Sequence, residues 1–153
     1  MVKNAAAKDK DTNAVFVHCF LTMIWNLMCR SRNTVNIMME HISFNGDSMT
    51  VQFAYTKTDM SGAQFWHKWH CFANSGRPEI CPILSLARYR TTFPHIQKGA
   101  LFPGGAQYSQ FRSLLNNHIL PANAAAIRRL GIEPKDIGVH SIHKGANSDY
   151  LLQ

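Results

Sequence analysis

The sequence predicts a mainly α-helical domain with one small antiparallel β-sheet, an α+β arrangement. Three observations point there. An apolar run ending near Cys29 carries a single polar stripe, His18, Thr22 and Asn26, spaced by four as on a helix. The tight-turn signal Asn45-Gly46-Asp47 separates Ile42-Ser43-Phe44 from a stretch in which Val51, Phe53 and Tyr55 alternate with Thr50, Gln52 and Ala54. Finally, 153 residues that are 46% hydrophobic and 16% charged suffice for one core and do not describe a disordered chain.

Taken in order, residues 1–12 are polar and rich in Ala, Lys and Asp, and are expected to form a flexible N-terminal end. Residues 13–153 are expected to form the domain. Thr12 or Asn13 caps a mostly buried helix running to about Cys29. Val35, Ile37 and Ile42 continue the apolar pattern beyond Arg30. The alternating stretch after Asp47 reads as a half-buried strand that brings Lys57 to its end, just before a turn over Thr58–Gly62. Phe65–Phe72 is a third strand. Pro82 starts a helix to about Phe93, and Pro94–Gly105 is a loop. Phe111, Leu114, Leu115, His118 and Ile119 have helical spacing, stopped by Pro121. A short helix over Ala122–Leu130 ends at Gly131, and a last helix opens at His140 or Ser141. No internal repeat is present.

A net charge of +7 and a pI near 9.5 favour a polyanionic partner, with nucleic acid first and an acidic membrane surface second. Arg77, Arg88, Arg90, Lys98, Arg112, Arg128, Arg129, Lys135 and Lys144 either line a groove over phosphates or form a solvated surface; the sequence leaves both open. Four cysteines in a chain of this length do not make a disulfide framework, and Cys19 and Cys29 read as core residues of a protein in a reducing compartment. The run Ala14–Cys29 mimics a signal peptide after Lys3, Lys8 and Lys10. Asp9, Asp11, His18 and Asn26, and the lack of a small-residue cleavage site, argue against that, and the run is too short and polar to span a bilayer.

The most informative stretch is His140-Ser141-Ile142-His143-Lys144-Gly145-Ala146. Upstream of it lie Trp25-Asn26-Leu27-Met28-Cys29-Arg30-Ser31, Thr56-Lys57-Thr58-Asp59 and Ile80-Cys81-Pro82-Ile83-Leu84. An arginine followed by a hairpin, then by a lysine, then by a distant His-x-x-Arg is the order found in the catalytic domain of tyrosine recombinases, the phage integrase family. In these phrases the chain resembles that family over nearly its whole length, and most of all its crypton-like branch of eukaryotic mobile elements. The resemblance implies the recombinase fold, incomplete at both ends, and DNA binding, DNA integration and DNA recombination as ancestral activities. It also implies a nuclear location and a duplex DNA partner held by its phosphate backbone, with homo-oligomers open. No cofactor and no metal are implied.

The family's reaction is attack by a tyrosine on a DNA phosphodiester, and its phosphorane transition state needs fixed cations. By resemblance Arg30 is the first of these, its planar fork suited to two non-bridging oxygens. Lys57 matches the lysine that protonates the leaving sugar oxygen. His140 matches the histidine that contacts phosphate or transfers a proton, and Lys144 joins Arg30, Lys57 and His140 as a substrate-binding residue. His143 stands where the family has its second arginine. A neutral imidazole with an ordinary pKa of about 6.5 cannot supply the missing fork, an expected loss of about 3 kcal/mol of transition-state stabilisation. The family's nucleophile lies well downstream of this motif, whereas the only tyrosine after His140 is Tyr150 on the same helix. Tyr55, Tyr89 and Tyr108 read as sheet or core aromatics. The expectation is a degenerate or fragmentary recombinase-like protein, short of a DNA-clamping domain as well as a nucleophile, that binds DNA weakly and does not complete strand exchange. Uncovered apolar surface near Leu151 and Leu152 is expected to favour self-association.

Two alternatives stand beside this one. The first is a domesticated, non-catalytic DNA-binding or interaction module. The second is a zinc-stabilised structural module using His67, His70, Cys71 and Cys81.

Overall fold

The structure, a computed structural model, describes residues 2–53 and 68–151, with side chains described from Asp11 onward except at 143 and 147–151. The chain runs α1 (Val2–Asn26), α2 (Ser31–Val35), β1 (Ile42–Asn45), β2 (Ser48–Gln52), β3 (Lys68–Phe72), α3 (Pro82–Thr92) and α4 (Gln107–Leu114). A π-helical turn (Leu115–Ile119), α5 (Leu120–Ala122), α6 (Ala124–Arg129) and α7 (Val139–Leu151) follow. It is mainly helical with one three-stranded antiparallel sheet of order β1-β2-β3, as the fold class expected. No described helix is long and apolar enough to cross a membrane.

The first helix begins at Val2 rather than at a cap on Thr12 or Asn13. Ala5, Ala6, Ala7 and the lysines around them are good helix formers, and no glycine or proline interrupts them. The helix also stops earlier than Cys29. Met28 adopts φ 45°, the Met28 N–H donates to the Trp25 carbonyl at 3.2 Å and the Cys29 N–H to the Ile24 carbonyl at 3.3 Å. This bond pair is a Schellman ending with methionine in the left-handed position that glycine usually takes. The polar stripe of α1 is used internally. His18 Nε2 hydrogen-bonds the Glu79 carbonyl at 2.7 Å, and Asn26 Nδ2 donates to the carbonyls of Thr22 at 2.9 Å and Ile80 at 3.2 Å.

The hairpin forms where the turn signal lies. Asn45 pairs with Ser48 across a two-residue loop, and Gly46 at its first position has φ 59°. β2 is more deeply buried than a half-buried strand, since Ser48, Met49, Thr50 and Val51 are all buried. As the central strand it is flanked on both sides, and the Thr50 and Ser43 hydroxyls satisfy each other across the ladder. β3 occupies the later part of the expected Phe65–Phe72 strand; residues 54–67, with Lys57 and the turn Thr58–Gly62, lie outside the described residues.

The core centres on α1. Phe20 stacks on Phe111 with ring centroids 4.4 Å apart, and Phe102 packs against Phe16, Phe20 and Tyr89. Phe102, Leu101 and Ile96 come from the segment that reads as a loop. Two backbone bonds anchor it: Met39 N–H to the Gly99 carbonyl and Leu101 N–H to the Ile37 carbonyl, each 2.8 Å. The Glu40 carboxylate accepts the Gly99 N–H at 2.9 Å, which holds its pKa below the ordinary value.

Pro121 does not stop the helix before it. The π-helical turn carries an i→i−5 bond from the Leu120 N–H to the Leu115 carbonyl, and α5 runs through Pro121 to Ala122. The wider turn makes room for a ring that would otherwise meet the carbonyl four residues back. α6 closes at Gly131, φ 76°, much as its composition predicts. α7 opens at Val139, slightly before the expected start, because Ser141 works from inside the first turn. Its Oγ both accepts the Gly138 N–H and donates to the Gly138 carbonyl, at 2.7 Å.

Candidate functional site

Three separate parts of the chain meet at a cleft of about 250 Å³ lined by Arg30, Ser31, Arg32, Tyr108, Val139 and His140. Arg30 and His140, both singled out from the sequence, are therefore neighbours in space. Each is set by a short-range device. Arg30 is the residue before α2, with φ −72° and ψ 149°, and its carbonyl accepts the N–H groups of Asn33 at 2.8 Å and Thr34 at 3.1 Å and the Thr34 hydroxyl at 3.3 Å. Thr34 is fully buried and hydrogen-bonded to Cys29 Sγ at 3.2 Å. The backbone beneath Arg30 is thus pinned on both sides while its guanidinium is exposed.

His140 is the second residue of α7, and its position depends on how that helix docks. Ile142 and Ala146, four residues apart, are buried, and Gly145 faces the Trp25 ring so closely that an added Cβ would lie 3.3 Å from it. This contact carries the start of α7 to the Arg30 segment. The helix macrodipole adds partial positive charge at the His140 end. None of the described residues lining the cleft is acidic. An arrangement of two guanidiniums, an imidazole, a phenol and the positive end of a helix is suited to a polyoxygenated anion.

The other sequence candidates fall differently. Lys57 lies outside the described residues. The backbone of His143 is on α7 three residues beyond His140, and its side chain lies outside the description. Lys144, exposed on α7, is not among the described residues lining the cleft. Tyr150 is on α7 as well, and Leu151 ends it; neither side chain is described, and Leu152 lies outside. Tyr89 is buried in the core, but Tyr108 is not the sheet or core aromatic expected: it sits on α4, 37% exposed, at the cleft. Arg32 joins the cleft although no motif in the sequence singles it out. Its local signal is Arg30-Ser31-Arg32, two arginines astride one serine at a helix start.

Arg77 pairs with Glu79 and Arg128 with Glu133, both at 3.3 Å, and Arg88 and Arg90 ride on α3 while Arg112 rides on α4. A larger cleft of about 420 Å³ lies between α1, residues 77–80 and α7. Its His18 and Asn26 already hold the carbonyls of Glu79 and Ile80, and the rest of its floor is mainly Leu21, Trp25, Ile80 and Ile142.

The zinc alternative meets a geometric obstacle. In β3, His70 is exposed and Cys71 is buried against the core, on opposite faces of the strand, so the two cannot share an ion. Cys81 Sγ instead accepts the Asn74 N–H at 3.4 Å at the start of α3. Among the described residues no group of three or more ligands is close enough to hold a metal; His67 lies outside them. Comparison with family models, with curated proteins and with solved structures gives no match for this chain.

Proposed function

We propose that this chain is a DNA-binding protein of the tyrosine-recombinase kind, its cleft receiving one phosphate of the DNA backbone. The observation that carries the reading is the meeting of Arg30 and His140 in a cationic cleft whose described lining has no acidic side chain. Nothing in local sequence requires two residues so far apart to converge. A phosphodiester-binding pattern read from their types and order does. The net charge of +7 supports the same partner through long-range attraction.

In this reading Arg30 binds the phosphate as a fork, and His140 donates to it or moves a proton at a bridging oxygen. Lys57 would serve as the acid for the leaving oxygen and Lys144 as a neighbouring phosphate contact. His143, an imidazole in place of a guanidinium, leaves the transition state less stabilised than an arginine there would. The proposal is accordingly binding with strand exchange impaired, the remnant of an integration and recombination activity, in a nuclear protein.

The test is binding of a fluorescent duplex DNA across a salt series. Arg30→Ala should weaken binding about tenfold or more at moderate salt, the loss of one charge-assisted contact, and flatten the slope of log K against log salt by about 0.9. Unchanged affinity and slope would remove the cleft from any role in DNA binding.

A further inference from the structure

We propose that Arg32 is the second guanidinium of this cleft, and that Arg30 and Arg32 together grip the two non-bridging oxygens of one phosphodiester. The inference rests on the reading of the cleft as a DNA-phosphate site and adds to it a residue that sequence order alone did not mark.

The argument begins with the backbone. Arg30 is extended and Arg32 is helical, so the two side chains leave the chain on either side of Ser31 and both line the cleft. Their backbone is held by the Arg30 carbonyl's three hydrogen bonds and by the buried Thr34 that makes two of them. Little backbone ordering is left to occur when a ligand arrives, which favours tight binding by this pair. Electrostatics point the same way. Two guanidiniums in one small cleft repel each other unless an anion lies between them. Among the described residues neither is paired to a carboxylate, whereas Arg77 and Arg128 are. A tetrahedral phosphodiester presents two non-bridging oxygens, and a pair of forks with His140 and the start of α7 beside them matches that geometry.

A double-mutant cycle on the full chain tests this, using a fluorescent duplex DNA of arbitrary sequence, with Arg90→Ala on α3 as a control for charge alone. Arg32→Ala should weaken binding about tenfold, and Arg32→Lys, which keeps the charge but not the fork, should recover only part of that. Because both arginines serve one phosphate, the double variant should be at least about threefold tighter than the product of the single losses requires. Arg32 is exposed, and thermal melts of each variant check that the fold persists. If Arg30→Ala weakens binding and Arg32→Ala does not, the role of Arg32 is overturned while the cleft reading survives. If the two losses multiply, each arginine has its own phosphate and the shared grip is overturned. If neither variant differs from Arg90→Ala, both the inference and the reading beneath it fall.

Discussion

At residue scale, Met28 is the most revealing position. Every other described residue with positive φ is a glycine. A side chain in the left-handed region costs about 1 kcal/mol through the clash of Cβ with the following carbonyl. The cost is tolerated because the ending it completes buries Leu27 and Cys29 and turns the chain so that Arg30 can begin α2. Met28→Gly should therefore stabilise the protein by about 1 kcal/mol and raise the melting temperature by about 2–4 °C. A lower melting temperature would mean that Met28, only partly exposed, contributes more by packing than its backbone costs. The sequence offered no warning here, because the turn is forced by Ile24 and Cys29 closing on the core rather than by a turn-forming residue.

At the scale of elements, the decisive contact is α7 on α1. Gly145 lets the helix come within touching distance of Trp25, and Ile142 and Ala146 fill in on either side. That docking sets His140 beside Arg30. Gly145→Leu should push α7 away from Trp25, costing about 1–3 kcal/mol of stability, and, if the cleft binds DNA as proposed, should weaken that binding as expected of Arg30→Ala although residue 145 is not in the cleft. The paired readout is a thermal melt and the salt-dependent binding assay. Lost stability with undiminished binding would separate the cleft from the position of α7. The Gly-Ala pair was visible in the sequence as part of a motif. Its role as a close-approach surface was not, since the partner Trp25 lies far upstream.

For the molecule as a whole, the buried thiols give a pH dependence. Burial pushes the Cys29 thiol up from 9.0 to about 11, with the Thr34 hydrogen bond opposing, and the Cys71 thiol up to about 12. Cys19 is raised as well, by complete burial. The folded pKa exceeds the unfolded one, so the stabilisation is complete below about pH 9 and is lost as pH rises toward the folded value. Above pH 9 the unfolded chain releases these protons while the folded chain holds them, and each thiol lowers stability by about 1.4 kcal/mol per pH unit. Between pH 9 and 11 the loss should reach about 2–3 kcal/mol per thiol, read as a falling urea midpoint. A midpoint constant over that range would mean that these thiols are not buried in solution. Their position in the core also means that native protein should react slowly with thiol reagents at neutral pH.

The sequence by itself determined the class of fold, the hairpin at Asn45–Ser48, the helix starting at Pro82 and the end at Gly131. All of these rest on local rules, periodicity and turn chemistry. Tertiary structure decided the rest. Phe102 became the centre of an aromatic core although it lies in a loop, β2 was buried on both faces, and Pro121 was carried inside a widened helix. It also moved Tyr108 from the core to the cleft. The physical reason is common to these cases. Burial and proximity depend on what packs opposite a residue, and for Phe102, Tyr108 and His140 the opposing surfaces come from segments distant along the chain.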